Sequence, residues 1–274
     1  MTNCDGVCEG CPSAENCESK TIEKAKLNEF SHINKIVCVL SGKGGVGKSF
    51  VTSSIAVYLN RAGYKVGILD ADITGPSIPK AFGIKEKAYG ENNLIYPLES
   101  NGGIRIMSAN CLLENDSDPI VWRGPLLGGL IKQFYEDVLW GELDYLLIDM
   151  PPGTGDVALS VFQLLPVDDL IIVTSPQDLA NLIVQKAIKM AGLMNIHTLG
   201  VVENMSYLEC PKCQEQIALF GQSHVEELAK ENNIPVLAKL PIKTVNTELM
   251  DKGKIEMLDL DEITACIESI KGEK

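Results

Sequence analysis

Nowhere in the 274 residues does an apolar run approach the roughly 18–20 residues of a membrane-crossing helix, and charge breaks every long stretch. The amino terminus, MTNCDGVCEGCPSAENC, has no basic n-region and no apolar h-region, so no secretory signal is expected and the chain reads as cytoplasmic. Positive charge is scarce: 24 Lys and Arg face 37 Asp and Glu, a net charge of −13. That balance argues against nucleic acid held through phosphate contacts and against attraction to anionic lipid. No internal repeat, low-complexity tract or linker after residue 35 marks a second domain. Hydrophobic residues are plentiful at 45%, enough for a substantial core and incompatible with wholesale disorder.

Cysteine is present in an odd number, nine: Cys4, Cys8, Cys11, Cys17, Cys38, Cys111, Cys210, Cys213 and Cys266. In a cytoplasmic chain such a set does not read as a disulfide framework. Four fall within the first 17 residues and two more form Cys210-Pro211-Lys212-Cys213, a clustering that points to metal. Cys38, inside an apolar run, and Cys266, beside an apolar stripe, read as core residues. His32, His197 and His224 share no ligand spacing and are assigned no chemistry.

Residues 1–30 are polar and Cys-rich and read as an appended tail. Residues 31–274 read as one domain. Apolar runs of strand length recur at Ile36–Leu40, Val66–Leu69, Ile104–Met107, Tyr145–Ile148, Leu170–Val173, Leu199–Val202 and Val236–Leu237. They lack period-two alternation, as strands covered on both faces do. Helical spacing lies between them: Val51, Ile55, Tyr58, Leu59 and Ala62 before Gly63, then Leu127 to Val138, and Leu179 to Met190. Ser223 with Glu226 predicts a capping box, and Ile263, Ile267 and Ile270 a closing helix. The fold class expected is α/β: a doubly wound, mostly parallel sheet with helices on both faces and ligands at the carboxyl ends of its strands.

Gly42-Lys43-Gly44-Gly45-Val46-Gly47-Lys48-Ser49 follows the first predicted strand and opens the first helix, satisfying the phosphate-loop pattern G-x-x-x-x-G-K-[ST]. Glycines let successive N–H groups converge on phosphate oxygens, and the helix N-terminus adds positive potential. Lys48 is expected to reach the β- and γ-phosphates of ATP, and the Ser49 hydroxyl to ligate Mg²⁺. Asp70 and Asp72 end one apolar strand and Asp149 ends another. An Asp after a strand is ordinarily a turn former; beside a phosphate loop it is a candidate for the metal's water shell. The following Pro-Pro-Gly-Thr-Gly, with Gly153 at its centre, can bring N–H groups to the γ-phosphate. The Cys210–Cys213 thiolates are too few for a tetrahedral zinc or a four-iron cluster. A two-fold axis would supply the pair twice. On the residues alone, a shared metal and a thioredoxin-like dithiol stay open.

The pattern K-G-G-x-G-K-[ST] resembles the deviant Walker A ATPases. Four further segments are similar to the Mrp/ApbC branch of iron–sulfur cluster carriers: Asp70–Pro79, Trp122-Arg123-Gly124-Pro125, Asp149–Asp156 and Gly200–Ser206. The likeness runs from about Lys35 to the last helix. It implies a homodimeric ATPase in which Lys43 crosses to the partner's nucleotide, Asp72 orients the attacking water, Asp149 holds Mg²⁺ through water and Asn204 contacts adenine. It implies no derivable role for Arg123. It also implies a [4Fe–4S] cluster bridging the dimer at Cys210 and Cys213, for delivery to apo iron–sulfur proteins. Cys4, Cys8, Cys11 and Cys17 resemble the amino-terminal cluster motif of the eukaryotic-type scaffold members, with a shorter first gap, and would take a second [4Fe–4S] cluster or zinc. Two rival readings are a MinD/ParA-like spatial-organising ATPase and an electron-transfer protein resembling the nitrogenase iron protein. The acidic end from Leu258 to Glu262 argues against the first, and the adjacent Cys-x-x-Cys, in place of single cysteines from separate segments, against the second.

Overall fold

The computed structural model describes residues 23–72, 77–112, 124–176, 179–210 and 212–272. In chain order the first half contains β1 (His32–Ser41), α1 (Lys48–Arg61), β2 (Val66–Asp70), α2 (Ile78–Ala81), β3 (Tyr89–Glu91), β4 (Leu94–Tyr96), β5 (Leu98–Glu99), β6 (Arg105–Ser108) and α3 (Gly124–Asp137). The second half contains β7 (Glu142–Asp149), α4 (Asp156–Leu164), β8 (Asp169–Thr174), α5 (Leu179–Leu193), β9 (His197–Glu209), β10 (Gln216–Ile217), α6 (Val225–Asn232), β11 (Val236–Ile242), α7 (Thr244–Asp251) and α8 (Thr264–Lys271).

Among the described residues one nine-stranded sheet runs in the order β10-β9-β8-β1-β7-β2-β6-β5, with β11 beside β9. In that sheet only β5 and β10 pair antiparallel; β3 and β4 form a separate antiparallel pair. The central strands alternate between two cores, which is why no polar face interrupts them. In β1, Val37 and Val39 enter one core while Ile36, Cys38 and Leu40 enter the other. The first core is closed by Val51, Ile55 and Leu59 of α1 and by Cys266, Ile267 and Ile270 of α8. The second is closed by Ile131 and Phe134 of α3, Val161 and Phe162 of α4, and Val184 and Ala187 of α5. The mostly parallel, two-sided architecture is the one the sequence predicts.

Two elements differ from expectation. The predicted capping box is absent: α6 begins at Val225 with His224 before it, the Ser223 hydroxyl donates to Glu203, and Glu226 pairs with Lys239. The Ser223 hydroxyl gives its proton to the Glu203 carboxylate and accepts from the Val225 N–H, at the first residue of α6, so the reciprocal Ser223–Glu226 pair of a capping box does not form. Residues 24–28, grouped with the tail by composition, are fastened to the domain. Lys24 Nζ donates to the carbonyls of Phe162 and Leu165 at 2.6 and 2.9 Å, the Ala25 N–H to Leu164 O, and Asn28 Nδ2 to the carbonyls of Glu136 and Val138. They satisfy carbonyls left over at the ends of α4 and α3, which no further helical turn can reach.

The two free flanks of the sheet are short or interrupted. β5 is two residues long, and β11 carries Lys239 and Pro241. No helix among the described residues is long and apolar enough to cross a membrane.

Candidate functional site

β1 delivers the chain at Ser41, where the sheet ends and the phosphate loop begins. Gly45 and Gly47 both have φ of +80°, turning the backbone back on itself before α1 starts at Lys48. Gly47 has a second requirement: a Cβ there would lie 2.2 Å from Asn204 Nδ2, which donates to Val46 O at 2.9 Å. The loop is thus held from behind by the end of β9.

Lys48, at the first turn of α1, is 5% exposed. Its Nζ lies 2.8 Å from Asp149 Oδ2 and 3.4 Å from Asp72 Oδ2. Asp149 is fully buried at the tip of β7, in register with Asp70 of β2 and Val39 of β1. Ser49 Oγ donates to its Oδ2 at 2.5 Å, and Thr52 Oγ1 to its Oδ1 at 2.7 Å. One cation and two hydroxyls therefore stabilise the buried carboxylate. Asp70 is less well served: Oδ1 accepts from the Asp72 N–H, whereas Oδ2 is buried with no partner among the described residues. Burial and, next, the Asp149 charge hold its pKa well above the ordinary carboxylate range, with Lys48 pulling partly the other way. Beyond Asp149 the chain crosses back under the loop, where the Gly153 N–H donates to Ser41 O at 2.7 Å. Asp156 then opens α4, its charge placed at the positive helix end. Lys43 is half-buried in the loop, and its carbonyl accepts from Ser41 Oγ.

A second centre lies where β9 leaves the sheet. β9 and β10 form a hairpin, with Gln216 opposite Glu209 and Ile217 opposite Leu208, and Cys210 and Cys213 sit in its turn. The Cys210 N–H donates to Glu215 O and the Gln214 N–H to Cys210 O, both at 2.9 Å. Backbone N–H groups of Lys212 and Cys213, then the Cys213 thiol, bond the Cys210 sulfur and lower its pKa. This turn is a cradle for a thiolate, as metal-binding sulfur requires. Ile217, Leu219 and Phe220 beside it are 41%, 53% and 42% exposed. Among the described residues no group of three or more His, Cys, Asp and Glu side chains is placed to hold a metal.

Residues 32–271 match the ParA family in the form described as the NUBPL iron-transfer P-loop NTPase. The chain belongs to that family. This NUBPL-type NTPase is 46% identical to a protein of Methanocaldococcus jannaschii named iron-sulfur cluster carrier protein, over 95% of this chain and 92% of that one. It is 45% identical to the cytosolic Fe-S cluster assembly factor CFD1 of Kluyveromyces lactis, covering 80% of this chain and 81% of the relative. Among solved structures, a nucleotide-binding protein of Archaeoglobus fulgidus in complex with ADP aligns with a TM-score of 0.74 at 44% identity, over 82% of this chain and 88% of that one. The MinC:MinD cell division complex of Aquifex aeolicus aligns at 0.62 with 19% identity, over 88% and 96% of the two chains; this is a likeness of fold alone.

In the NUBPL-type NTPase the predicted residues fall into two groups. Lys48, Ser49, Asp72, Asp149, Gly153 and Asn204 gather around the phosphate loop; Cys210 and Cys213 stand together on the hairpin. Cys4, Cys8, Cys11, Cys17 and Arg123 lie outside the described residues. Cys38, Cys111 and Cys266 are buried, and burial raises the Cys266 thiol to about 12. His197 bonds Asp169 at 2.7 Å, at the end of the sheet remote from the loop. Thr52 and Glu203 are functional neighbours that the sequence motifs do not single out. Thr52 lies one turn after Lys48, and that spacing was a signal for it. Glu203 lies within the Gly200–Ser206 segment that carries the resemblance, but nothing there gives it a role until Ser223 is seen beside it.

Proposed function

We propose that this NTPase binds and hydrolyses ATP and carries a [4Fe–4S] cluster between two copies of the chain, for delivery to apo iron–sulfur proteins. The observation that carries the proposal is the Cys210–Cys213 turn: a thiolate cradle, exposed, flanked by exposed apolar residues, and short of a full ligand set. A second copy supplies the missing two thiolates and covers Ile217, Leu219 and Phe220 in the same act. Relatives at 43% and 46% identity named iron-sulfur cluster carrier protein support the cargo, and the ADP-bound neighbour supports the nucleotide.

The phosphate loop fits the chemistry of a nucleoside triphosphate. Its N–H groups and α1 bind phosphate oxygens, and Lys48, held between Asp149 and Asp72, can swing its charge to the β- and γ-phosphates. Ser49 Oγ and the Asp149 carboxylate are hard oxygen donors at one point, a fit for Mg²⁺ held directly by Ser49 and through water by Asp149. When bound, that ion neutralises phosphate charge. Asp72, released from Lys48, orients the attacking water. The Gly153 N–H is already given to Ser41 O, so it is not the γ-phosphate donor that the turn was expected to supply; Asn204 contacts adenine, and Lys43 reaches the partner's nucleotide. The tail cysteines Cys4, Cys8, Cys11 and Cys17 form a separate site for a [4Fe–4S] cluster or zinc.

Anaerobic reconstitution followed by iron and acid-labile sulfide quantitation tests the reading. A truncation beginning at residue 23 is expected to hold half a cluster per chain, about two iron and two sulfide, and to run as a dimer. The same truncation with Cys210→Ala and Cys213→Ala is expected to hold none. A strictly monomeric chain that keeps its cluster on this pair would overturn the proposal.

A further inference from the structure

β9 continues past the point where the sheet supports it on both sides. Glu203, opposite Thr174, is the last residue it aligns with β8. From there to Tyr207 only β11 pairs with it, before β10 joins at Leu208 and Glu209, and the register slips between Lys239 and Pro241. Within that slip Met205 has φ of +59°, a left-handed conformation that a non-glycine residue holds only where its surroundings impose it. On one side of Met205, Asn204 bonds the phosphate loop at Val46 O and fills the space beside Gly47. On the other side the hairpin departs.

Glu203 is 1% exposed, and both its carboxylate oxygens are taken. Ser206 Oγ, on the outgoing arm of the hairpin, donates to Oε2 at 2.5 Å. Ser223 Oγ, on the returning chain, donates to Oε1 at 2.7 Å. A buried carboxylate spent on two hydroxyls, one in β9 and one in the chain just before α6, is costly as mere core filling, because apolar residues of similar volume would pack there without desolvating a charge. Its position joins two sites: one residue from the side chain that braces the phosphate loop, and at the base of the turn that carries the thiols.

We infer that Glu203 is a positioning residue that ties the Cys210–Cys213 hairpin to the phosphate loop, so that nucleotide in the loop sets the geometry of the thiol pair. This rests on the nucleotide and cluster sites proposed above. Displacement of Val46 and Gly47 by phosphate moves Asn204; the strained Met205 peptide shifts with it. Glu203 then carries β9 and the returning chain at Ser223 together, which moves the hairpin between them as a unit.

The test uses the apoprotein and the rates at which iodoacetamide alkylates Cys210 and Cys213, with and without Mg·ADP. In the native sequence Mg·ADP is expected to change the rate about fivefold, at the low end of ordinary coupling between sites. Ser223→Ala and Glu203→Gln are expected to bind Mg·ADP within about twofold of native affinity while the alkylation ratio falls towards one. Ser223→Thr, which keeps a hydroxyl, is expected to restore the ratio. In reconstituted dimer, the nucleotide dependence of cluster loss to an iron chelator should fall in the same two variants. Alkylation that ignores nucleotide in the native chain, or ratios unchanged in both variants, would overturn the inference. A pair that never loads a cluster yet keeps nucleotide-dependent alkylation would overturn the carrier reading and leave the tie standing.

Discussion

Asp149 accepts from Lys48, Ser49 and Thr52, so the chain's own side chains fix the position of its carboxylate. Thr52→Val keeps the shape and strands a buried carboxylate oxygen, at a cost of about 1–3 kcal/mol. A melting temperature lower by about 2–4 °C per kcal/mol is expected in calorimetry without nucleotide; an unchanged transition would show that the Thr52 bond contributes nothing. Asp70 behaves oppositely. Its pKa in the fold is raised, so its contribution is fully present below the unfolded-state value and is lost as pH rises through the folded one. Asp70→Asn removes that loss. In EDTA, the variant is expected to melt close to the native protein at pH 4 and above it at pH 8, with the gap widening between. A gap that shrinks with rising pH would refute the assignment. The Cys210 thiol, stabilised as thiolate by two N–H groups and Cys213, is expected to alkylate with a pH midpoint below that of free cysteine. Cys38 and Cys266, both buried, are expected to stay unmodified throughout, as mass spectrometry of the labelled chain would read out.

At the scale of elements, the strap at residues 24–28 closes the carbonyl ends of α3 and α4. A truncation beginning at residue 23 keeps the strap and gives the reference melting temperature. Removing 1–30 strips five hydrogen-bonded contacts from Lys24, Ala25 and Asn28, each worth about 0.5–1.5 kcal/mol, and is expected to lower it by about 5 °C or more. Equal melting of the two truncations would show the strap to be passive. These contacts join residues more than 100 positions apart, so no local pattern reveals them. The central strands are legible because two-sided burial leaves a continuous apolar run such as Ile36–Leu40. Their polar extensions, His32 to Lys35 in β1, are set by pairing with β7 and are not. α4 does carry its signal: Val157, Ala158, Val161 and Phe162 follow helical spacing, obscured only by the glycine-rich loop directly before them. The phosphate loop and the Cys pair are legible because their chemistry is local. Ser223 is not, because its partner Glu203 lies 20 residues away.

At the scale of the whole molecule, parallel strands bring β1, β2, β7 and β9 to a common edge, so Lys48, Asp72, Asp149 and Asn204 converge although 156 residues separate the first from the last. The hairpin projects from the same edge. One fold therefore presents a phosphate cradle and a thiol pair in one direction, and a partner approaching from that direction meets both. The blunt flanks of the sheet bear on what such a partner can be. Pro241 has no N–H to offer a neighbouring strand, Lys239 is engaged with Glu226, and β5 is too short to template one. Growth sideways, strand upon strand into fibres, is closed off at both margins. The tip-to-tip pairing proposed above would be a contact that ends with two.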